Sequence, residues 1–240
     1  MQTVILAAGK GVRLEAVNAD LPKSLVPIAE GKPYLWYTLT EVDRLTRGRK
    51  IIVTGHLSNK MGAFLNRFGF VDYDVVFNAC YEWGNLYSLL CVRSEIQDTF
   101  LLFNADHHYA TETYEKMFSH VSDEITVFCD HDRILTDDDM KVDAHEGLLV
   151  TMDKKLICYQ LGYVGVTYVP HGRLSQYWAA CDATGTRLGE KANVEAVLNE
   201  LVTRGEKIAI CDISGSWWTE IDTPEDWEKA RRVIFVNRGS

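Results

Sequence analysis

The sequence lacks the marks of membrane, secreted and nucleic-acid-binding proteins. No apolar run approaches the ~18 residues that span a bilayer, and the first strand-like run starts at Thr3, which leaves no room for a signal peptide before it. The six cysteines include no CxxC pair and no Cys/His zinc spacing, which favours buried thiols in a reducing compartment. A net charge of −9 disfavours nucleic acid as a partner. We therefore expect a cytoplasmic protein with no membrane insertion and no nucleic-acid partner.

Strand and helix patterns alternate through the first half of the chain. Strand-like runs occur at VILAA, KIIVTG, YDVVFN, TFLLFNAD and EITVFCD. Helices are predicted between these strands and after them, over 33–45, 58–68, 85–94, 111–120, 174–180 and 191–203, and from Thr223 onward. Ser58 and Thr223 are the predicted N-caps. This alternation predicts an α/β, Rossmann-like fold: a mostly parallel central sheet with helices on both faces. The hairpin features after residue 140 predict a small β-rich subregion on the same sheet, within one domain spanning 1–240.

A glycine-rich loop with three basic residues follows the first strand. The small residues from Ala7 to Gly11 let backbone N–H groups approach a polyphosphate. The spacing fits neither GxGxxG nor GxxxxGK[ST], so the glycines alone suit a plain turn equally well. Arg13 and Lys23 add the positive charge that a triphosphate needs. Together these residues favour nucleotide binding in a loop that runs to about Ile28.

Six sequence blocks carry a family resemblance. LAAGKGVRL and PKSLVPI resemble the signature of the sugar-phosphate and alcohol-phosphate nucleotidyltransferases, and the resemblance continues through WGNLYSLL, LLFNADHHY, LGYVGVTYV and WWTEIDTPEDW. The middle blocks look most like the cytidylyltransferases that activate inositol-1-phosphate or phosphocholine. The resemblance implies a GT-A-like nucleotidyltransferase fold, with a nucleotide-binding half at about 1–130 and an acceptor-binding half at about 131–240. It also implies that CMP passes from CTP to a small phosphorylated alcohol and that pyrophosphate is released.

Two aspartates end predicted strands, at LLFNAD and WWTEID. Asp106 and Asp222 match the family's metal-binding aspartates, and carboxylates suit Mg²⁺, which the resemblance implies as the cofactor. Arg13 and Lys23 complete the implied catalytic set as ligands of the β and γ phosphates. The neighbouring His107 and His108 are expected to be loop residues, because Mg²⁺ prefers oxygen.

The resemblance also implies a nucleotide-binding set. The WGN block is expected near the base, although Asn85 equally suits a helix cap. The full set is Leu6, Ala7, Ala8, Gly9, Lys10, Gly11, Arg13, Lys23, Asn78, Gly84, Asn85, Ser88 and Ala105.

The acceptor site is less defined in the sequence. The candidate substrate-binding residues are Asp130, Lys141, Tyr163, Glu190, Trp217 and Trp218, with Arg133 near them. Aromatic rings at Tyr81, Trp83, Tyr163, Trp217 and Trp218 would form a cage for a choline group, and core packing is the competing interpretation. The acidic run HDRILTDDDM is expected to be a solvated loop.

Three alternatives remain open. One is a uridylyl-, thymidylyl- or guanylyltransferase that acts on a sugar-1-phosphate. Another is a non-catalytic nucleotide-binding regulatory subunit, which the presence of all four catalytic candidates disfavours. A dinucleotide-dependent oxidoreductase is disfavoured by the missing GxGxxG spacing. Enzymes of this family often form homodimers, and the sequence marks no dimer surface.

Overall fold

A computed structural model describes residues 1–14 and 20–238. The predicted loop after the first strand lies partly outside these residues. The strands are β1 (Gln2–Ala7), β2 (Pro27–Ala29), β3 (Lys32–Pro33), β4 (Lys50–Thr54), β5 (Tyr73–Phe77), β6 (Phe100–Asn104), β7 (His107–Tyr109), β8 (Ile125–Asp130), β9 (Lys141–His145), β10 (Leu148–Asp153), β11 (Leu161–Val169), β12 (Ile208–Asp212) and β13 (Trp218–Glu220). The α-helices are α1 (Tyr34–Leu45), α2 (Asn59–Phe68), α3 (Leu86–Leu90), α4 (Thr111–Ser119), α5 (Leu174–Leu188), α6 (Val194–Thr203) and α7 (Pro224–Arg238).

The main sheet of the described residues has nine strands in the order β5-β4-β1-β6-β11-β8-β12-β10-β9. The first four strands in this order, β5, β4, β1 and β6, run parallel to one another, as the alternating pattern predicts. The prediction of a mostly parallel sheet is wrong, because β11 lies between β6 and β8 and is antiparallel to both, and beyond it only β8 and β12 pair in parallel among the described strands. β11 follows the β9–β10 hairpin, and the alternation of strands and helices gave no sign that a later strand enters the middle. The sheet is therefore mixed.

Helices cover both faces of the sheet, as predicted. Alternate residues of β1 belong to different cores: Val4 packs with residues of α3, α5 and α6, whereas Ile5 packs with residues of α1, α2 and α4. This alternation follows from the two-residue period of a strand. Both faces of β1, β4 and β6 are thus buried, and the carboxyl ends of these strands are left to form a cleft.

Several helix boundaries differ from the predictions. The third helix is only Leu86–Leu90, and the helix predicted over 174–180 continues to Leu188 because Cys181 and Thr184 are buried on its inner face. Tertiary packing overrides the weak helix propensity of that segment. Ser58 makes no side-chain cap. Thr223 does cap α7, since its Oγ1 accepts the backbone N–H of Asp226 at 3.2 Å.

The segment predicted as the strand WWTEID forms strand only at β13. That strand pairs with β7 in a separate two-stranded sheet beside the carboxyl end of β6. Among the described helices, none combines the length and the apolar character needed to traverse a bilayer.

Candidate active site

Residues from distant parts of the chain meet at the carboxyl ends of β1 and β6. Lys23 Nζ lies 2.6 Å from Asp106 Oδ2 and also forms an ion pair with Asp222. The guanidinium of Arg13 lies 2.6 Å from the other oxygen of Asp222. The two aspartates therefore share one ammonium group, although they are more than a hundred residues apart in sequence. They border a cavity of about 220 Å³ lined by Leu6, Ala7, Gly9, Gly11, Val12, Arg13, Lys23, Ser24, Ala105, Asp106 and Asp222.

Electrostatics keeps these groups charged. Burial lowers the pKa of Lys23, but the carboxylates of Asp106 and Asp222 outweigh it and raise the pKa of this lysine above its ordinary value. Burial raises the pKa of Asp106, whereas Lys23 and His107 together bring that pKa well below its usual range. Asp106 is therefore a carboxylate at neutral pH, which is the form that binds a cation or a charged donor.

His107 and Glu220 belong to the same cluster, and Glu220 is a residue that the sequence analysis does not predict. The expectation that His107 and His108 are loop residues is wrong, because both lie in β7 and are buried. His107 Nδ1 lies 2.7 Å from Asp106 Oδ1, and its Nε2 lies 3.6 Å from Glu220 Oε2. Asp106, His107 and Glu220 have ligand atoms close enough together to hold a metal ion. The signal that could have found Glu220 is its position two residues before Asp222 in WWTEID.

The ring of His107 is packed between Trp218 and the backbone of β11. It stacks on Trp218 with centroids 5.5 Å apart and planes 9° from parallel. On the β11 side Gly165 has φ of +82°, and a Cβ there would lie 3.0 Å from two atoms of the imidazole. The strand thus needs glycine at this position both for its backbone conformation and for the space beside His107.

Gly165→Ala is expected to destabilise the protein by about 1–3 kcal/mol, since it combines a strained φ with a contact against a packed ring. Denaturant unfolding measures the change. Gly172→Ala is the matched control, because Gly172 has open space where a Cβ would stand. Equal stability of the two variants would contradict this account.

The predicted nucleotide-binding residues divide into two groups. Most of the first-strand and loop residues line the cavity described above. Two further loop residues contact the neighbouring segments: the carbonyl of Ala8 accepts the N–H of His56 at 3.2 Å, and Lys10 forms an ion pair with Glu82.

The remaining members lie elsewhere. Asn78 and Ser88 are buried and bond each other at 3.0 Å. The N–H of Gly84 donates to the carbonyl of Glu190 at 2.7 Å. Asn85 Oδ1 accepts the N–H of Val194 at 2.9 Å, so this side chain caps α6 and not α3.

The predicted acceptor residues are also only partly brought together. Lys141 is buried, and its Nζ donates to the carbonyls of Thr136 and Lys154 at 2.7 and 2.6 Å. Glu190 is exposed. Within the described part of the chain, it lines none of the cavities along the cleft. The hydroxyl of Tyr163 lies 2.8 Å from that of Thr167.

Asp130 and Trp218 form a buried pair. The indole N–H of Trp218 donates to Asp130 Oδ2 at 2.5 Å, and burial raises the pKa of Asp130. The Arg133 guanidinium lies 3.9 Å from the centroid of the Trp218 ring and forms an ion pair with Asp139. These contacts fix the wall of the cleft beside Asp222.

The five aromatic residues do not form one cage. Trp83 contacts Tyr87, whereas Trp217 contacts His108 and Trp218 stacks on His107. Among the described residues these ring contacts form separate sets, which favours the core-packing interpretation for most of them.

Two more cavities extend the cleft away from the glycine-rich loop. One, of about 480 Å³, shares Arg13 and Asp222 with the first cavity. The other, of about 250 Å³, shares Asp138, Asp139 and Glu220 with the second. It is lined by Asn85, Asn104, His107, Asp138, Asp139, Met140, Lys154, Tyr163, Gly165, Asn193, Glu195 and Glu220. Asp106 and Asp222 thus lie between a loop that suits phosphates and a polar cavity on the other side.

Known proteins resemble this chain along nearly its whole length. The bifunctional IPC transferase and DIPP synthase of Aquifex aeolicus is 26% identical over 238 residues, which cover 96% of this chain and 51% of that protein. The choline-phosphate cytidylyltransferase of Streptococcus pneumoniae is 30% identical over 109 residues, 45% of each chain. This chain therefore spans about half the length of the bifunctional relatives it matches.

The fold is shared with solved nucleotidyltransferases. The inositol-1-phosphate CTP transferase from T. maritima superposes with a TM-score of 0.84 at 24% identity, over 97% of this chain and 94% of that one. Residues 3–136, more than half of the sequence, match the MobA-like NTP transferase domain. The chain belongs to the MobA-like NTP transferase family.

Proposed function

We propose that this chain is a Mg²⁺-dependent cytidylyltransferase on a GT-A-like fold. It transfers CMP from CTP to a small phosphorylated alcohol of the inositol-1-phosphate or phosphocholine type and releases pyrophosphate. The observation that carries the proposal is the meeting of Asp106, Asp222, Lys23 and Arg13 beside a glycine-rich loop. The names of the relatives support the nucleotide and the class of acceptor.

The loop side of the cleft suits the triphosphate. Gly9 and Gly11 line the first cavity, and because neither has a Cβ, backbone N–H groups of the loop are accessible to a phosphate. Arg13 and Lys23 supply two cations at the end of this loop. Charged donors of this kind hold phosphate oxygens strongly.

The carboxylates of Asp106 and Asp222 fit a divalent cation. They already converge on one positive charge, the Lys23 ammonium, and both offer hard oxygen ligands. When bound, Mg²⁺ neutralises charge on the α-phosphate and on the leaving pyrophosphate. His107 Nδ1–H donates to Asp106 on the side away from Lys23, which holds that carboxylate in one orientation.

The reaction needs no nucleophilic side chain. A phosphate monoester has a second pKa of ~6, so its oxygen is already anionic near neutral pH. That oxygen forms a bond to the α-phosphorus of CTP as the bond to the pyrophosphate oxygen breaks. Lys23 and Arg13 reduce the repulsion between the two anions, and the cleft aligns them.

A panel of triphosphates tests the nucleotide. With inositol-1-phosphate or phosphocholine as acceptor, pyrophosphate release is expected to be at least about tenfold faster with CTP than with UTP, dTTP or GTP. The control is the same panel with glucose-1-phosphate. Turnover of a sugar-1-phosphate with UTP, dTTP or GTP but not CTP would support the alternative nucleotidyltransferase. Nucleotide binding without pyrophosphate release from any pair would indicate a regulatory subunit.

A further inference from the structure

We infer that Asn85 and Asn193 are specificity-determining residues that recognise the hydroxyl groups of a polyol phosphate acceptor. The inference rests on the proposed function and assigns residues to the acceptor side of the same cleft. Both side chains line the cavity of about 250 Å³ that borders His107 and Glu220. Neither lines the cavity of the glycine-rich loop, so the WGN block serves a different part of the cleft from the phosphates.

The orientation of the Asn85 amide is fixed by its partner. Its side chain accepts the backbone N–H of Val194 at 2.9 Å. Because a backbone N–H only donates, the atom that faces it must be the amide oxygen. The NH₂ group is then left on the other side, and it has no hydrogen-bond partner among the described residues.

Asn193 repeats this arrangement. Its Oδ1 accepts the N–H of Ala196 at 2.8 Å and so caps the start of α6. The NH₂ group of Asn193 likewise has no partner within the described part of the chain. Both amide oxygens thus accept backbone N–H groups of α6, and the two NH₂ groups remain as donors beside one cavity.

The WGN block is attached firmly to the segment that carries Asn193. Besides the bond from Gly84 to Glu190, the N–H of Leu86 donates to the carbonyl of Ala192 at 3.4 Å. A Cβ at Gly84 would lie 1.9 Å from that carbonyl oxygen, so the two backbones are in close contact. The two amides therefore keep a fixed spacing, as specific recognition requires.

Glu195 supplies an acceptor beside the two donors. Glu195 lines the same cavity, and its carboxyl group has no hydrogen bond or ion pair to another described side chain. Burial raises its pKa, and a carboxyl oxygen accepts hydrogen bonds in either protonation state. A hydroxyl group donates one hydrogen bond and accepts others, so it satisfies both kinds of group. A trimethylammonium group accepts no hydrogen bond, so when bound it would displace water from the two NH₂ groups without replacing their hydrogen bonds. The array therefore favours a polyhydroxylated head group over choline.

The substitutions Asn85→Asp and Asn193→Asp remove the proposed hydrogen-bond donors without removing the oxygens that cap α6. Each keeps the oxygen that accepts the backbone N–H, and so keeps the cap of α6, but replaces the NH₂ donor with an oxygen. We expect kcat/KM for inositol-1-phosphate to fall about tenfold or more in each variant, with the KM for CTP and the melting temperature unchanged. Asn59→Asp is the matched control. It makes the same change of charge, and Asn59 is exposed at the start of α2.

Phosphocholine as a second acceptor controls for the added negative charge. The variants are expected to shift the preference for inositol-1-phosphate over phosphocholine by about tenfold or more towards phosphocholine. Unchanged kcat/KM for inositol-1-phosphate, or equal losses with both acceptors, would overturn the inference. Turnover of either acceptor by the wild-type protein establishes the proposed function independently of this ratio.

Calorimetry measures the effect of the same contacts on acceptor affinity in the absence of turnover. Binding of inositol-1-phosphate to the nucleotide-free protein is expected to weaken about tenfold in each variant. Equal binding by wild type and variants, or no binding by the wild type, would contradict the assignment. Failure of the transferase assay alone, with the calorimetric difference intact, would count against the proposed function only.

Discussion

Asp106→Asn should reduce kcat by about 10³-fold or more while the protein remains folded. The amide keeps the shape of the side chain and an oxygen for His107, but it removes the negative charge that faces Lys23 and the proposed cation. Asp222 would then hold the cation alone. Pyrophosphate release measures the loss, and circular dichroism with a thermal melt checks the fold.

Asp72→Asn controls for the change of charge, because Asp72 is exposed at the opposite margin of the sheet, just before β5. It should retain wild-type turnover. If Asp106→Asn keeps activity within tenfold of the control, the proposed metal site is in the wrong place. The cluster of His107 and Glu220 would not rescue it, because that cluster also depends on the Asp106 carboxylate.

Lys23→Gln should lower kcat/KM for CTP by about 10²-fold or more. The Lys23 side chain is only 15% exposed and lies against two carboxylates, so its removal leaves two negative charges facing each other and an incoming triphosphate. Steady-state kinetics with CTP as the varied substrate measures the effect.

Lys60→Gln is the comparison for this lysine, since Lys60 is exposed in the first turn of α2. It should behave as wild type. A Lys23→Gln variant with normal kcat/KM would show that the phosphates are neutralised by other groups. In that case Arg13 would be the next residue to replace.

The meeting of Asp106 with the glycine-rich loop could be predicted from sequence for a simple reason. β1 and β6 are buried, apolar and parallel, and parallel strands bring their carboxyl ends to one edge. The placement of Asp222 could not be derived this way, because β13 belongs to a separate two-stranded sheet. Its position near Asp106 was implied by the family resemblance.

The proposed acceptor side is harder to predict from sequence, because its side chains also bond backbone groups. Asn85 suits a helix cap in the sequence, but it caps α6 and not α3, and Asn193 caps α6 although it lies within the helix predicted over 191–203. Lys141 is a candidate substrate-binding residue in the sequence, but it bonds backbone carbonyls in the interior. No periodic pattern distinguishes such residues, because their partners lie far away in the chain.

The position of β11 has a consequence for how the polypeptide is made. Residues of β6 have left the ribosome long before β11 is synthesised, yet the edge of β6 facing β8 is covered only when β11 arrives. Non-local strand pairing of this kind is slow, and an uncovered strand edge is prone to aggregate. A nascent chain that ends near residue 136, where the family match stops, carries this open edge and is expected to need a chaperone until translation passes Val169.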